Sequence, residues 1–223
     1  MVDVIVFAEG QSEEQFIKQV VAPSLHHQQI YLKAQTLKTS QQGTGGAVTF
    51  GRLMFYARNA LRQYPNAILT TFLDLYGLDT DFPEFHEAKK QAEVAGRVAK
   101  LEAALHREVV TQVGCRAERF IPHIQPYEFE GLLFSDVTAL STIEPRWKRY
   151  LNQLRVIRDA FPTPEHINDS FETKPSRRLE ALLEPQYRKT RHGPLVAGRV
   201  TLATMESECL HFRGWIEKLR ALV

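Results

Sequence analysis

Apolar residues fall along the chain in short runs that switch between two periodicities. Val4-Ile5-Val6-Phe7 is a continuous run that stops at Glu9-Gly10, the pattern of a buried strand. Phe16, Ile17, Val20 and Val21 then recur at helical spacing over residues 13–21. Gly10 supplies the expected turn, Ser12 the cap and Pro23 the stop. Residues 30–37 carry alternating Ile30, Leu32, Ala34 and Leu37, a second strand. Residues 39–47, rich in Ser, Gln, Gly and Thr, are expected to connect rather than to cradle a phosphate, because the Walker pattern is missing. A helix follows at 52–64 with Leu53, Tyr56, Ala60 and Leu61 inward. The second strongly apolar run, NAILTTFL at 66–73, ends directly in Asp74. A turn-rich loop with Asp79 and Asp81 comes next.

Residues 84–109 are rich in Ala, Glu, Lys and Arg with weak apolar periodicity, which predicts a long, largely solvated helix. RFIPHIQ at 119–125 reads as a strand that Pro122 confines to a sheet edge. Pro126 suits a helix start, with Glu128 and Glu130 in the opening turn. Two residues apart on a helix, only one of them is expected to face a given site. Asp136 starts a short helix. Residues 147–161 form an amphipathic helix with Leu151, Leu154, Val156 and Ile157 apolar, ended by Pro162 and Pro164. After a polar loop, Ser176 is expected to cap a helix holding Leu179, Leu182 and Leu183; a basic run at 187–192 and two closing helices, 196–205 and 208–222, complete the chain. Strand–helix alternation of this kind implies an α/β fold with a mainly parallel sheet flanked by helices. The expected division is an α/β core over 1–140 and a helical C-terminal extension over 141–223 packed on it, with no linker long enough to separate them.

Bulk properties narrow the partners. The 223 residues, 43% of them hydrophobic, suffice for one sizeable core. A net charge of +2 is mild, so a nucleic-acid surface must come from local clustering. Cys115 and Cys209 lack metal-site spacing and read as reduced thiols of a cytoplasmic protein. The N-terminus lacks the basic leader of a signal peptide, and no run has the length to span a bilayer.

The acids change the picture most. Three sets are expected at the same sheet edge: Glu9 with Glu13, Asp74 with Asp79 or Asp81, and Glu128 with Glu130. Glu13 and Glu14 are also explained as first-turn acids complementing the helix dipole. Clustered carboxylates repel unless a cation neutralises them, and oxygen donors suit Mg2+ or Mn2+ rather than zinc. Such a site serves phosphoryl transfer or phosphodiester hydrolysis. Lys174, with Arg177 and Arg178, adds the complementary sign and can stabilise charge developing at phosphorus. Arg188, Lys189, Arg191 and His192 can hold a nucleic-acid backbone, although short basic runs of this kind are more often plain solvated surface. His123 sits on the strand feeding the acidic motif and reads first as a packed side chain. No Ser/His/Asp or Cys/His arrangement stands out.

These residues carry a resemblance. Residues 4–14, VIVFAEGQSEE, resemble the first motif of Toprim domains, as in nucleases of the overcoming-lysogenization-defect type. Phe72-Leu73-Asp74 resembles the second motif, whose pattern is Asp-x-Asp; here Tyr76 stands at the third position, leaving the second acid missing or displaced to Asp79 or Asp81. Asp74-Leu75-Tyr76-Gly77-Leu78, PHIQPYEFEGLLF at 122–134, and Asn168-Asp169-Ser170 through Lys174-Pro175-Ser176-Arg177-Arg178-Leu179 resemble the bacterial family called domain of unknown function 4276, over nearly the whole chain. The resemblance implies a Toprim-like fold with Glu9 as metal ligand or general acid/base and Asp74 as metal ligand. It implies Glu13, Glu128 and Glu130 as completing the site and Lys174 as the late basic residue. It further implies a nucleic-acid substrate, a separate ABC/SMC-like ATPase as partner, and a role in phage defence; a homo-oligomer is left open. Two other readings compete: a decayed Toprim interaction subunit without catalysis, and a phosphotransferase or nucleotidyltransferase using the same acids.

Overall fold

The apolar runs read above as strands lie side by side in one parallel sheet. The computed structural model describes residues 1–37, 46–168 and 170–223. Residues 39–45 of the expected connector, and Asp169, lie outside them. Strand β1 (Val2–Ala8) is flanked by β2 (Ile30–Thr36) and β3 (Ile68–Asp74), and the order is β2-β1-β3-β4, with β4 Phe120–Ile121 at the edge. The predicted strand at 119–125 is two short strands. Pro122 has no N–H for the ladder, so pairing breaks there and resumes as β5 (Ile124–Gln125), again parallel to β3. Thr71 bridges the break: its hydroxyl donates to His123 O and accepts from His123 N–H, both at 2.9 Å.

Alternation along β1 builds two cores. Ile5 and Phe7 pack with α3 (Phe50–Gln63) and α5 (Val94–Val113), through Leu53, Leu101 and Leu105. Val4 and Val6 face α1 (Gln11–Phe16) and the C-terminal helices, through Phe16, Leu133, Phe212 and Trp215. The extension is therefore tied to the sheet by a shared hydrophobic cluster, and the Trp215 indole N–H donates to Thr70 Oγ1 at 2.9 Å.

Several local expectations are corrected. Helix α1 starts at Gln11 with extended Gly10 as its cap residue, so Ser12 lies inside the first turn and caps nothing. Pro23 does not stop the helix: a π-helical turn, Ile17–Val21, widens the ladder, and α2 (Ala22–Leu25) carries the proline in its first turn, where no N–H is needed. The long solvated helix is α4 (Phe85–Lys89) followed by α5, and Val94, Val98, Leu101, Leu105 and Val109 make one face of α5 core. After β5 a 3-10 helix, Phe129–Asp136, replaces the expected helix from Pro126. Asp136 does cap the short α6 (Val137–Ser141), through the Ala139 N–H at 2.9 Å. A 3-10 turn and α7 (Leu151–Asp159) split the predicted amphipathic helix, and Val156 is exposed. Helix α8 (Pro175–Leu182) begins at its proline, not behind a Ser176 cap. The closing segment is three helices, α9 (Lys189–Val200), α10 (Leu202–Glu208) and α11 (Leu210–Arg220). Among the described residues no helix is long and apolar enough to cross a membrane.

Candidate functional site

Strand ends place the acids. Asp74 closes β3, opposite Gln125 of β5, and is 6% exposed. Its N–H donates to Glu9 Oε2 at 3.3 Å, which joins the ends of β1 and β3. The Glu9 carboxylate lies against the backbone of Gly77; a Cβ on that residue would stand 1.8 Å from Glu9 Oε2. Only a hydrogen fits there. Glu13 is buried in the first turn of α1, and a Cβ on Gly10 would come within 3.1 Å of its Oε2. Gly10 thus lets Glu13 approach closely, a tight fit that a Cβ would relieve only by shifting the carboxylate, and it is not required for the expected turn, since its φ of −145° is open to any residue.

Tyr127 takes a positive φ of 57°, and Glu128 after it is extended, just ahead of the 3-10 helix. This turns both Glu128 and Glu130 inward, where an α-helical start would have directed only one. Backbone N–H groups fix one oxygen of each of two acids: Phe129 donates to Asp74 Oδ1 at 2.8 Å and Ser176 to Glu128 Oε2 at 3.0 Å. Ser176 thus serves the site through its N–H. One oxygen each from Asp74, Glu128 and Glu130 lies within 4.8 Å of the others. Lys174 Nζ is 2.8 Å from Glu128 Oε1. Lys189 Nζ bridges Glu128 Oε1 at 3.1 Å and Glu130 Oε2 at 3.3 Å.

Five carboxylates against two ammonium groups leave negative charge in excess. Burial, with the charge of Glu13 added, pushes Glu9 up to about 7. Burial also raises Glu13, and raises Asp74 well above the usual carboxylate range with Glu13, Glu9 and Glu130 beside it. Glu130 is pushed up to about 7 by burial, against the pull of Lys189. Glu128 goes the other way: burial raises it, but Lys189, Lys174 and the Ser176 bonds outweigh burial and hold it low. Burial penalises the Lys189 ammonium, yet Glu130 and Glu128 keep it charged. Glu9, Glu13, Asp74 and Glu128 open with both lysines, Tyr76 and Gly77 onto a cleft of about 290 Å³; Glu130 lies fully buried behind it.

Thus Glu9, Glu13, Asp74, Glu128, Glu130 and Lys174 converge, with Glu128 and Glu130 both turned in where the expected helix start placed only one. Asp79 is corrected: its carboxylate accepts from the Asp81 N–H at 3.2 Å within its own turn, and it does not line the cleft. Asp81 accepts from the Phe50 N–H at 2.8 Å, leading into α3. The basic surface also divides. Arg177 pairs with Glu180 and Arg191 with Glu144, Arg178 donates to Thr173 O and lies over the Phe161 ring, and Arg188 is exposed. Lys189, expected on that surface as a nucleic-acid contact, instead enters the acid cluster. Gly77 and Tyr76 also belong to the site; the Asp74-Leu75-Tyr76-Gly77 turn was their visible signal, while nothing local marks Lys189 as inward.

His123 is packed, as expected. It stacks on Trp215 and His211, at 4.9 Å for each, and burial holds it neutral, well below its usual range. Glu102 beside it accepts from the Ile124 N–H and bonds His211 Nε2, both at 2.8 Å. Its Oε1 is thereby occupied within the fold.

A family model described as a domain of unknown function (DUF4276) matches residues 8–220. No curated protein and no solved structure matches the chain.

Proposed function

The chain belongs to the DUF4276 family, and from its acidic cleft we propose a divalent-metal-dependent phosphodiester hydrolase, a nuclease acting on DNA or RNA. The observation that carries the reading is the convergence of Glu9, Asp74, Glu128 and Glu130, remote in sequence, on one edge of a parallel sheet. The donor set fits Mg2+ or Mn2+: the oxygens are hard, they lie within 4.8 Å of one another, and Asp74 and Glu130 are raised by burial and by the neighbouring carboxylates. Asp74, Glu128 and Glu130 would hold the ion, with Glu9 and Glu13 adjoining. When bound, such an ion polarises a phosphoryl oxygen and acidifies water.

The chain's own groups supply the rest. Glu9, titrating near 7, can take a proton from water or return one to a leaving oxygen at neutral pH. Lys174 and Lys189 stand at the cleft as fixed positive charge for a phosphate that gains negative charge on attack. The proposal extends to a Toprim-like relationship with nucleases of the overcoming-lysogenization-defect type. On that relationship rest a separate ABC/SMC-like ATPase as partner, a setting in phage defence and a cytoplasmic location.

Two observations favour a second reading, a non-catalytic interaction subunit. Tyr76 occupies the place of the second motif aspartate, and Lys189 already sits between Glu128 and Glu130. Mn2+ calorimetry and plasmid nicking separate the two. Hydrolysis predicts nicking by the wild type that Glu9→Ala and Asp74→Ala abolish, with Mn2+ affinity down at least tenfold in Asp74→Ala. Equal nicking by all three proteins rejects the assignment. Mn2+ binding without cleavage, with and without an ATPase partner, selects the interaction subunit.

A further inference from the structure

A second recess shares a wall with the acidic cleft. Tyr76 lines both. The recess holds about 210 Å³, smaller than a pocket for a drug-sized ligand. Tyr127 and Phe85 add aromatic walls, and buried Leu101 and Ala88 line it with them. The rings of Tyr76 and Tyr127 lie 5.6 Å apart at 35°. Phe171, 53% exposed, also meets Tyr76, edge-on at 6.1 Å. Lys174 Nζ, 2.8 Å from Glu128, sits 4.0 Å from the centre of the Phe171 ring. An aromatic series therefore runs from the recess to a lysine of the acid cluster. Two cations line the recess: exposed Lys89, and Arg97, which the carbonyls of Gln91 and Ala92 hold at 2.7 Å and 3.2 Å.

We propose that this recess takes a nucleobase of an unpaired nucleotide whose neighbouring phosphate lies in the acidic cleft. The substrate is then single-stranded or locally unpaired nucleic acid. The inference rests on the cleft being a phosphodiester site. A base has a polarisable face that stacks on aromatic side chains whatever its sequence, and Lys89 and Arg97 suit the adjoining backbone. In a duplex the same base is held in its stack and must be extruded before it can enter.

The test is binding by the intact protein in Mn2+ of phosphorothioate oligonucleotides, DNA and RNA, carrying 2-aminopurine. Each is presented single-stranded and as a blunt duplex, and Mn2+ affinity is measured separately. Single strands are expected to bind at least tenfold more tightly than duplexes, with quenching of the probe. Ala88→Leu, which fills the recess, should weaken single-strand binding about tenfold. Lys89→Glu, at an exposed position, should weaken it about threefold. Both should keep wild-type Mn2+ affinity. Equal binding of duplex and single strand, or Lys89→Glu and a folded Ala88→Leu both with wild-type affinity, overturns the inference while Mn2+ binding persists. Failure of the wild type to bind Mn2+ overturns the reading of the cleft and this inference with it.

Discussion

Lys189→Met tests whether charge balance governs the acid cluster. The substitution keeps the aliphatic stem and removes the ammonium that lies 3.1 Å from Glu128 and 3.3 Å from Glu130. At an effective dielectric of about 20, each contact amounts to roughly 5 kcal/mol of gross attraction. Removing one partner of a buried pair costs about 3–5 kcal/mol net. The Lys189 side chain is 36% exposed, so solvent screening cuts this to roughly 2 kcal/mol. In a chain of this size that lowers Tm by about 4–8 °C. The sign with pH follows from Glu130. Its folded carboxyl titrates near 7, above the ordinary glutamate value of 4.5, and moves higher once the lysine charge is gone. Stability from such a group is full below the unfolded value and falls as pH rises through the folded one. The deficit of Lys189→Met should therefore be smaller at pH 5, where Glu128 alone is ionised beside the lost ammonium, and larger at pH 8.5 in chelator, where Glu130 also loses its proton. Millimolar Mn2+ should restore the loss, since a ligand at a hundred times its Kd adds about 2.7 kcal/mol. Thermal melts at the two pH values, with and without Mn2+, read all of this. The same Tm drop at both pH values, indifferent to metal, would refute the electrostatic account and leave Lys189 as packing.

Other outcomes follow from the same geometry. Gly77→Ala should displace the Glu9 carboxylate and reduce nicking as far as Glu9→Gln does, while far-ultraviolet circular dichroism stays unchanged, because the new Cβ would occupy the space 1.8 Å from Glu9 Oε2. Mn2+ affinity should rise from pH 6 to pH 8 as Glu9 and Glu130 lose their protons near 7, and calorimetry in buffers of different ionisation enthalpy should register proton release on binding. His211→Gln should destabilise through the loss of its bond to Glu102. Burial lowers the proton affinity of His211, but the Glu102 bond and charge outweigh burial and raise it; the deficit should therefore be greatest below the unfolded value of 6.5 and shrink as pH rises beyond it, as urea unfolding at pH 6 and 8.5 would show.

Much of this molecule was legible in its apolar runs. The length of each run sets where a parallel strand must end, and Glu9 and Asp74 stand at those ends, so their placement follows from the sequence. The α5 stripe was present at positions 94, 98, 101, 105 and 109 but was diluted by starting the helix at 84, where α4 breaks the phase. Glu128 and Glu130 were found as candidates, yet their joint inward aim depends on one left-handed residue, Tyr127, that composition does not announce. Asp79 failed for the opposite reason: an acid in a tight turn finds local N–H donors and is consumed there. Lys189 was invisible because the fold alone decides whether a lysine beginning a helix points to water or into a carboxylate cluster.

The interruption at Pro122 has a consequence for how the polypeptide can grow. The chain departs from the sheet after Asp74 and returns beside it as β4 and β5, with Leu73 opposite Ile124 and Asp74 opposite Gln125. Strand side chains alternate between faces, so a single residue inserted between Ile121 and Ile124 would invert the parity of everything up to Glu128. One inserted between α4 and α5 would merely lengthen a detour. Insertional scanning should find the long excursion permissive and the few residues before Tyr127 intolerant, a map of where this architecture can be elaborated and where it cannot.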